Sequence, residues 1–113
     1  MAAVLDIQPR VKNNTSRYVK AGSALRVECQ VYDNTVTPKA LVTPGTAKDV
    51  EVYKPDGTVF LSSGAMSSSA VGVLNRTVTT SGTSPTGGYT AKFTMTHSGN
   101  TVILSDVMVF TLF

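Results

Sequence analysis

The sequence has little of the material from which catalytic and metal sites are built. It contains one cysteine, one histidine and no tryptophan in 113 residues, and only 15% of its residues are charged. Nucleophilic catalysis usually needs a nucleophile beside a base, and a zinc site needs about three or four His, Cys or carboxylate ligands. No acidic residues have the close spacing of a calcium loop. We therefore expect a non-enzymatic protein with no catalytic residue, cofactor or metal site.

The single cysteine and the short apolar runs exclude further classes. One cysteine, Cys29, cannot form an internal disulfide, and its apolar surroundings predict that it packs as a small hydrophobic residue. No apolar run approaches the ~18 residues of a membrane-spanning helix. Met1–Ile7 lacks both the basic start and the apolar stretch of a secretion signal. We expect a protein that is made and kept in a reducing cytoplasm, or released by lysis, and that has no contact with a membrane.

Several segments alternate between apolar and polar residues, which is typical of half-buried β-strands. In Ala24–Tyr32 the odd-numbered residues Leu25, Val27, Cys29 and Val31 are apolar. Lys48–Lys54 and Tyr89–Thr96 alternate in the same way, and weaker strand patterns occupy Ala3–Ile7, Val59–Leu61 and Val71–Thr79. Pro9 is expected to stop the first of these strands. Valine and threonine, which favour strands, dominate these segments.

Turn and loop compositions separate the strand patterns, and no helical periodicity intervenes. Lys54–Thr58 and His97–Asn100 are typical of tight hairpin turns. Ser62–Ser69 and Ser81–Gly88 have the composition of flexible loops, and the parity of the apolar positions changes near Asn75, which predicts a bulge or a switch of face. The sequence predicts an all-β protein: one domain over residues 1–113, an antiparallel β-sandwich of about seven strands.

The last strand pattern, Thr101–Phe113, does not alternate at its end. Both parities are apolar from Val107 onward, which a strand with one solvated face should not show. One interpretation is a central strand that the domain itself covers on both faces. The other is a strand near a sheet edge that another subunit covers. The second interpretation makes four residues candidate contacts: Val107, Val109, Phe110 and Phe113.

The N-terminal quarter is basic. The formal net charge is +3, and no acidic residue occurs between Asp6 and Glu28. This stretch is either a solvated surface or a contact with an acidic partner. Only Tyr18 lies among the basic residues, so base stacking and nucleic-acid binding are disfavoured. The candidate contacts here are Arg10, Lys12, Arg17 and Lys20.

Two stretches resemble bacterial and phage immunoglobulin-like domains. Val52–Val59 is similar to their strand, Pro-Asp-Gly-Thr turn and returning strand, and Thr86–Ala91 is similar to the start of their penultimate strand. The resemblance covers about residues 48–113. It implies an immunoglobulin-like sandwich in which Tyr89 forms a structural corner by bonding back to the backbone.

The resemblance also implies a function. A single such domain, rich in threonine and serine and without an export signal, resembles a small virion protein of a tailed bacteriophage, such as a head decoration, neck or tail accessory protein. Its partners would be other virion proteins or further copies of itself, so we expect a homo-oligomer located in the virion. The alternative is a carbohydrate- or surface-binding module with Tyr18, Tyr32 or Tyr53 as its platform.

Overall fold

The computed structural model describes residues 5–11, 18–45 and 47–113. These residues form ten β-strands and no helix, so none of them belongs to a helix that could span a membrane. The strands are β1 (Leu5–Val11), β2 (Tyr18–Val19), β3 (Ala24–Asp33), β4 (Ala40–Leu41), β5 (Ala47–Tyr53), β6 (Val59–Ala65), β7 (Ser67–Ala70), β8 (Val73–Thr79), β9 (Gly87–His97) and β10 (Asn100–Leu112).

The strands form two sheets. The first sheet has the order β1-β3-β8-β7, with the short β4 paired to the end of β3, and the second has the order β2-β10-β9-β5-β6. All pairs are antiparallel except β2 with β10, which is parallel and two residues long. The predicted all-β sandwich is confirmed. The seven predicted strands correspond to β1, β3, β5, β6, β8, β9 and β10, and the short strands β2, β4 and β7 are additional.

The core lies between the sheets and follows the predicted alternation on three strands. The fully buried side chains include Val27 and Val31 on β3, Val50 and Val52 on β5, and every second residue of β9 from Tyr89 to Met95. The ring of Tyr89 stacks on Phe110 at 4.7 Å between centroids. These interdigitating apolar side chains supply the main stabilisation of the domain.

Glu28 departs from the alternation. It lies on the outer face of β3 yet is only 4% exposed. Strand β3 is central in its sheet, and Glu28 is paired in register with Arg10 on β1 and Asn75 on β8. Neighbouring strands on both sides therefore cover a side chain that an edge strand would leave in water.

Two predictions about single strands are wrong. Strand β1 does not stop at Pro9 but continues to Val11, because β1 is an edge strand and can accommodate a proline that lacks an N–H. No bulge occurs in β8 near Asn75, since the β3–β8 pairing runs without a shift from Ala24–Thr79 to Gln30–Val73. The parity change arises because the inner position between Leu74 and Val78 is Arg76.

The serine-rich segment Ser62–Ser69 is also ordered rather than a flexible loop. It forms the end of β6 and the start of β7, where the chain passes from the second sheet to the first. Met66, between the two strands, is buried, and its N–H donates to the carbonyl of Lys48 at 2.9 Å. This buried anchor explains why a segment of small polar residues crosses between sheets in one conformation.

Candidate interaction surface

Two bulges explain why odd- and even-numbered residues are both apolar in the C-terminal strand β10. Leu104 pairs with Phe93, but the next pair is Val107 with Ala91, so Ser105 and Asp106 are extra residues in the ladder. A second shift occurs between Met108, paired with Thr90, and Phe110, paired with Tyr89. Each bulge changes which parity faces the core. The failure of alternation therefore has a cause within the domain.

The four candidate contacts on β10 have different surroundings. Val109 and Phe110 are fully buried in the core of the domain, which corrects their assignment as surface contacts. Val107 is half-buried and packs against the same core. Only Phe113 is exposed, at 61%. The second bulge is the physical reason, because it places two consecutive residues on the buried side.

Most of the outer edge of β10 is not hydrogen-bonded to another described strand, although β1 of the first sheet lies close to β10. On its outer side, the described residues provide only β2, which pairs with Thr111 and Leu112. An open edge presents backbone donors and acceptors to other chains, and a bulge such as that at Ser105 and Asp106 limits regular pairing along it. The position of β10 next to the short edge strand β2 agrees with the second of the two interpretations of its sequence, and the burial of Val109 and Phe110 within the domain agrees with the first.

An apolar patch lies at the C-terminal end of this strand, on the outer face of the second sheet. We call it the end patch: Tyr18, Met108 and Phe113, which are 61%, 50% and 61% exposed. Met108 lies over Gly88, where an added Cβ would be 2.6 Å from its Cε. Gly88 pairs with Thr111, and Thr111 pairs with Tyr18, so the three side chains share one region of the face.

The backbone holds the end patch in place. The N–H of Phe113 donates to the carbonyl of Val19 at 3.0 Å, and the N–H of Ala21 donates to the carbonyl of Phe113 at 2.7 Å. The backbone of Phe113 is thus fixed against residues 19–21, although its ring is exposed. A partner that covers this ring does not have to order the backbone that carries it, which lowers the entropic cost of binding.

A concave pocket of about 300 Å³ lies on the same outer face, beside the first bulge. We call it the bulge pocket; its lining residues are Tyr53, Gly57, Thr90, Lys92, Ser105 and Asp106. The hydroxyl of Tyr53 donates to Glu51, and this hydrogen bond, followed by desolvation, raises the pKa of the Tyr53 phenol. The phenol therefore stays protonated and oriented at neutral pH.

The sequence interpretation considered Tyr53 but missed the other polar residues of this pocket. Lys92 belongs to a regular alternating strand, where a lysine is usually only a solvated side chain. Ser105 and Asp106 carried a signal, since they are the polar pair that interrupts the apolar residues of β10. Polar residues in such a position are typical of a bulge that redirects a side chain.

The candidate basic contacts do not form one observed surface. Lys12 and Arg17 lie outside the described residues, and of Arg10 only the backbone, paired with Glu28, is described. Lys20 is exposed at the end of β2, whereas Arg26 is exposed on the outer face of the first sheet. The acidic-partner hypothesis for this segment stays a prediction.

The remaining sequence candidates have structural positions. The hydroxyl of Tyr89 donates to the carbonyl of Pro85 at 2.7 Å, which is the corner that the resemblance implies. Cys29 is fully buried in the core. His97 ends β9, in the hairpin that leads into β10.

Comparison with solved structures places this architecture among known folds. The chain is similar to the crystal structure of the Lin-41 filamin domain, with a TM-score of 0.53 and 14% sequence identity over 86% of this chain and 89% of that chain. The sequence matches no protein-family model and no curated protein. The likeness shows the fold: an immunoglobulin-like β-sandwich of the filamin type. The bacteriophage assignment stays a prediction.

Proposed function

We propose that this domain is a non-enzymatic structural protein that assembles through the C-terminal end of β10, as a component of a tailed-bacteriophage virion. The observation that carries the assembly part is the exposed end patch of Tyr18, Met108 and Phe113, at the end of a strand whose outer edge is hydrogen-bonded, among the described strands, only to the two-residue β2. Two aromatic rings and a methionine at one sheet edge are residue types that interfaces favour.

The proposal replaces the contact residues inferred from sequence. Val109 and Phe110 support the patch from inside the core, while Phe113 and its neighbours make the contact. The bulge at Ser105 and Asp106 interrupts the edge, so the contact depends mainly on apolar burial at the strand end. Further copies of the same domain, or another virion protein, would cover this end.

The virion assignment rests on the resemblance to phage immunoglobulin-like domains and on composition. The chain is poor in charge and rich in threonine and serine, and its fold is the sandwich that the resemblance implies. Mass spectrometry of purified particles from a phage that encodes this chain tests the assignment. The protein should be present in stoichiometric amounts and persist through density-gradient purification; its absence would contradict a virion role.

Self-assembly is tested by multi-angle light scattering across a range of protein concentrations. The wild type should form oligomers as concentration rises, and Phe113→Ser should shift the equilibrium toward monomer. Val71→Ser is the matched control, because Val71 is 65% exposed but lies in the turn between β7 and β8, away from the patch. Equal effects of the two substitutions would contradict the proposed contact surface.

The alternative to self-assembly is docking on a different virion protein. A wild type that is monomeric at all concentrations removes self-assembly, and Phe113→Ser should then lower the amount of this chain incorporated into particles, with Val71→Ser incorporated normally. Normal incorporation of both variants would contradict the end patch as the docking surface.

A further inference from the structure

The bulge pocket differs from the end patch in chemistry. Its lining combines one phenol, one ammonium group, one carboxylate and two aliphatic hydroxyl groups, within about 300 Å³. This volume is at the lower limit of small-molecule sites, which cover about 300–1,000 Å³. The pocket therefore fits a small ligand better than a protein segment.

The backbone at the rim of the pocket is unusual. Asp106 has a φ of 57°, in the left-handed region, and lies in the bulge between Leu104 and Val107. Non-glycine residues seldom adopt this conformation, although aspartate accepts it more readily than most. Bulges often redirect a side chain beside a functional site. Here the bulge brings two polar residues, Ser105 and Asp106, to the pocket in succession.

The strand register explains how the other groups reach the same place. Lys92 on β9 pairs with Glu51 on β5, and on its other side it faces the bulge of β10. Tyr53 is next along the outer face of β5, paired with Thr90. Three strands thus supply the pocket, and because the sheet is hydrogen-bonded across them, their relative positions are fixed.

The charges exclude some ligand classes. The pocket lining contains one ammonium group and one carboxylate, and Glu51 accepts from the Tyr53 hydroxyl, so the site has no excess of positive charge for a phosphate. A purely apolar ligand would leave the ammonium and the carboxylate without partners, which costs free energy. A neutral ligand with several hydroxyl groups satisfies both, because each hydroxyl can donate to Asp106 or accept from Lys92.

We propose that the bulge pocket binds one neutral sugar residue, with its hydroxyl groups between Asp106 and Lys92 and one face against the ring of Tyr53. This sugar is either a free monosaccharide or the terminal unit of a polysaccharide. The site shares no lining residue with the end patch, so it can be tested separately from assembly.

The test is a titration of the ¹⁵N-labelled wild-type protein with neutral hexoses and N-acetylhexosamines, followed by backbone amide chemical shifts. Binding should change the amide chemical shifts of Thr90, Lys92 and Ser105. These changes should saturate as the sugar concentration rises, with weak affinity. Asp106→Asn should weaken binding about tenfold, because a hydrogen bond to a charged group is replaced by a neutral one. Asp49→Asn is the matched control: Asp49 is an aspartate on the outer face of β5, outside the pocket.

A second variant separates the carboxylate from the backbone. Glycine adopts positive φ without strain, so in Asp106→Gly the bulge should persist while the carboxylate is lost. It should therefore weaken binding at least as much as Asp106→Asn, with the amide spectrum otherwise retained. Wild-type affinity in Asp106→Gly would overturn the role of the carboxylate.

The source of the sugar is resolved by comparing ligands. Tighter binding to a bacterial surface polysaccharide than to its constituent monosaccharide identifies the polymer, and equal affinities identify the free sugar. Absence of localised shifts with every sugar, or equal effects of Asp106→Asn and Asp49→Asn, would overturn the proposal. Phe113→Ser should leave sugar affinity unchanged, which keeps this result independent of assembly.

Discussion

Gly64 and Arg76 are complementary across the sandwich: a Cβ built on Gly64 would lie 2.8 Å from Nη1 of Arg76. Arg76 occupies an inner position of β8 in the first sheet, and its Nη1 donates to the carbonyl of Val50 at 2.9 Å and of Ser62 at 2.8 Å, both in the second sheet. The β5–β6 register shifts beside this point, between Val50 and Val52. One arginine thus links the two sheets where the ladder is irregular, and glycine leaves the room for it.

Substitution of Gly64 by alanine should therefore destabilise the domain. The added Cβ must displace the guanidinium group, which weakens both hydrogen bonds, and we expect a loss of about 1–3 kcal/mol in the free energy of unfolding. Urea denaturation of the two proteins measures the difference. Gly82→Ala is the control, because nothing lies within 4 Å of its added Cβ. Equal stability of the two variants would contradict the steric argument.

The tyrosine corner predicts a second loss of stability. Tyr89 is fully buried, and its hydroxyl donates to the carbonyl of Pro85. Tyr89→Phe keeps the stacked ring but leaves that carbonyl without this donor, which should cost about 1–2 kcal/mol in thermal or urea unfolding. Tyr32→Phe removes a 3.2 Å bond to Gln30 at a less buried position and should change stability by less than about 0.5 kcal/mol. A Tyr89→Phe protein as stable as Tyr32→Phe would show that the corner bond adds nothing.

The alternation of apolar and polar residues predicted those strands in which every second residue stays buried along the whole strand. The β9 strand pairs with β5 without a register shift from Ala47–Thr96 to Tyr53–Thr90, so the parity of the sequence translates directly into burial. The turn at Asp56 was predictable because it depends on local sequence, and the corner at Tyr89 was implied by the resemblance to immunoglobulin-like domains. These features together were sufficient for the fold class.

The candidate site could not be predicted in the same way. A bulge changes the buried parity, so the apolar residues from Val107 to Phe113 indicated two apolar faces, whereas the structure places Val109 and Phe110 together on the buried side. The inward position of Arg76 could not be predicted either, because it depends on hydrogen bonds to carbonyl groups more than ten residues away in sequence. The bulge pocket combines three strands, and its geometry follows from their register rather than from any local motif.

Glu51 should control the titration of Tyr53. The hydrogen bond to Glu51 is the largest cause that raises the phenol pKa. A raised folded-state pKa means that the contribution of the phenol to stability is fully present below its unfolded value of about 10 and is lost as pH rises through the folded value. Glu51→Gln should lower the pKa of Tyr53, measured by the pH dependence of its Cζ chemical shift. Tyr89, whose pKa is raised mainly by burial, serves as the internal control and should not move.

Two aspartates with the same local geometry provide a paired test at acid pH. Asp56 accepts from the backbone N–H and the hydroxyl of Thr58 at 2.9 and 2.6 Å, and Asp33 accepts from Thr35 at the same two distances. In both cases the threonine hydroxyl is the largest cause of a lowered carboxyl pKa, followed by the backbone N–H. A lowered folded-state pKa stabilises the domain above the unfolded value of about 3.9, and this contribution is lost as pH falls through the folded value.

Removal of one hydroxyl should therefore affect one carboxyl group only. Thr58→Val deletes the stronger donor and keeps the backbone N–H, so the pKa of Asp56 should rise toward its ordinary value while that of Asp33 stays low. Thr35→Val should have the reverse effect. The pH dependence of the two carboxyl ¹³C shifts measures both values in each variant. A common shift of both aspartates in either variant would point to a global charge effect, because the two hydrogen-bonded turns lie in separate parts of the chain.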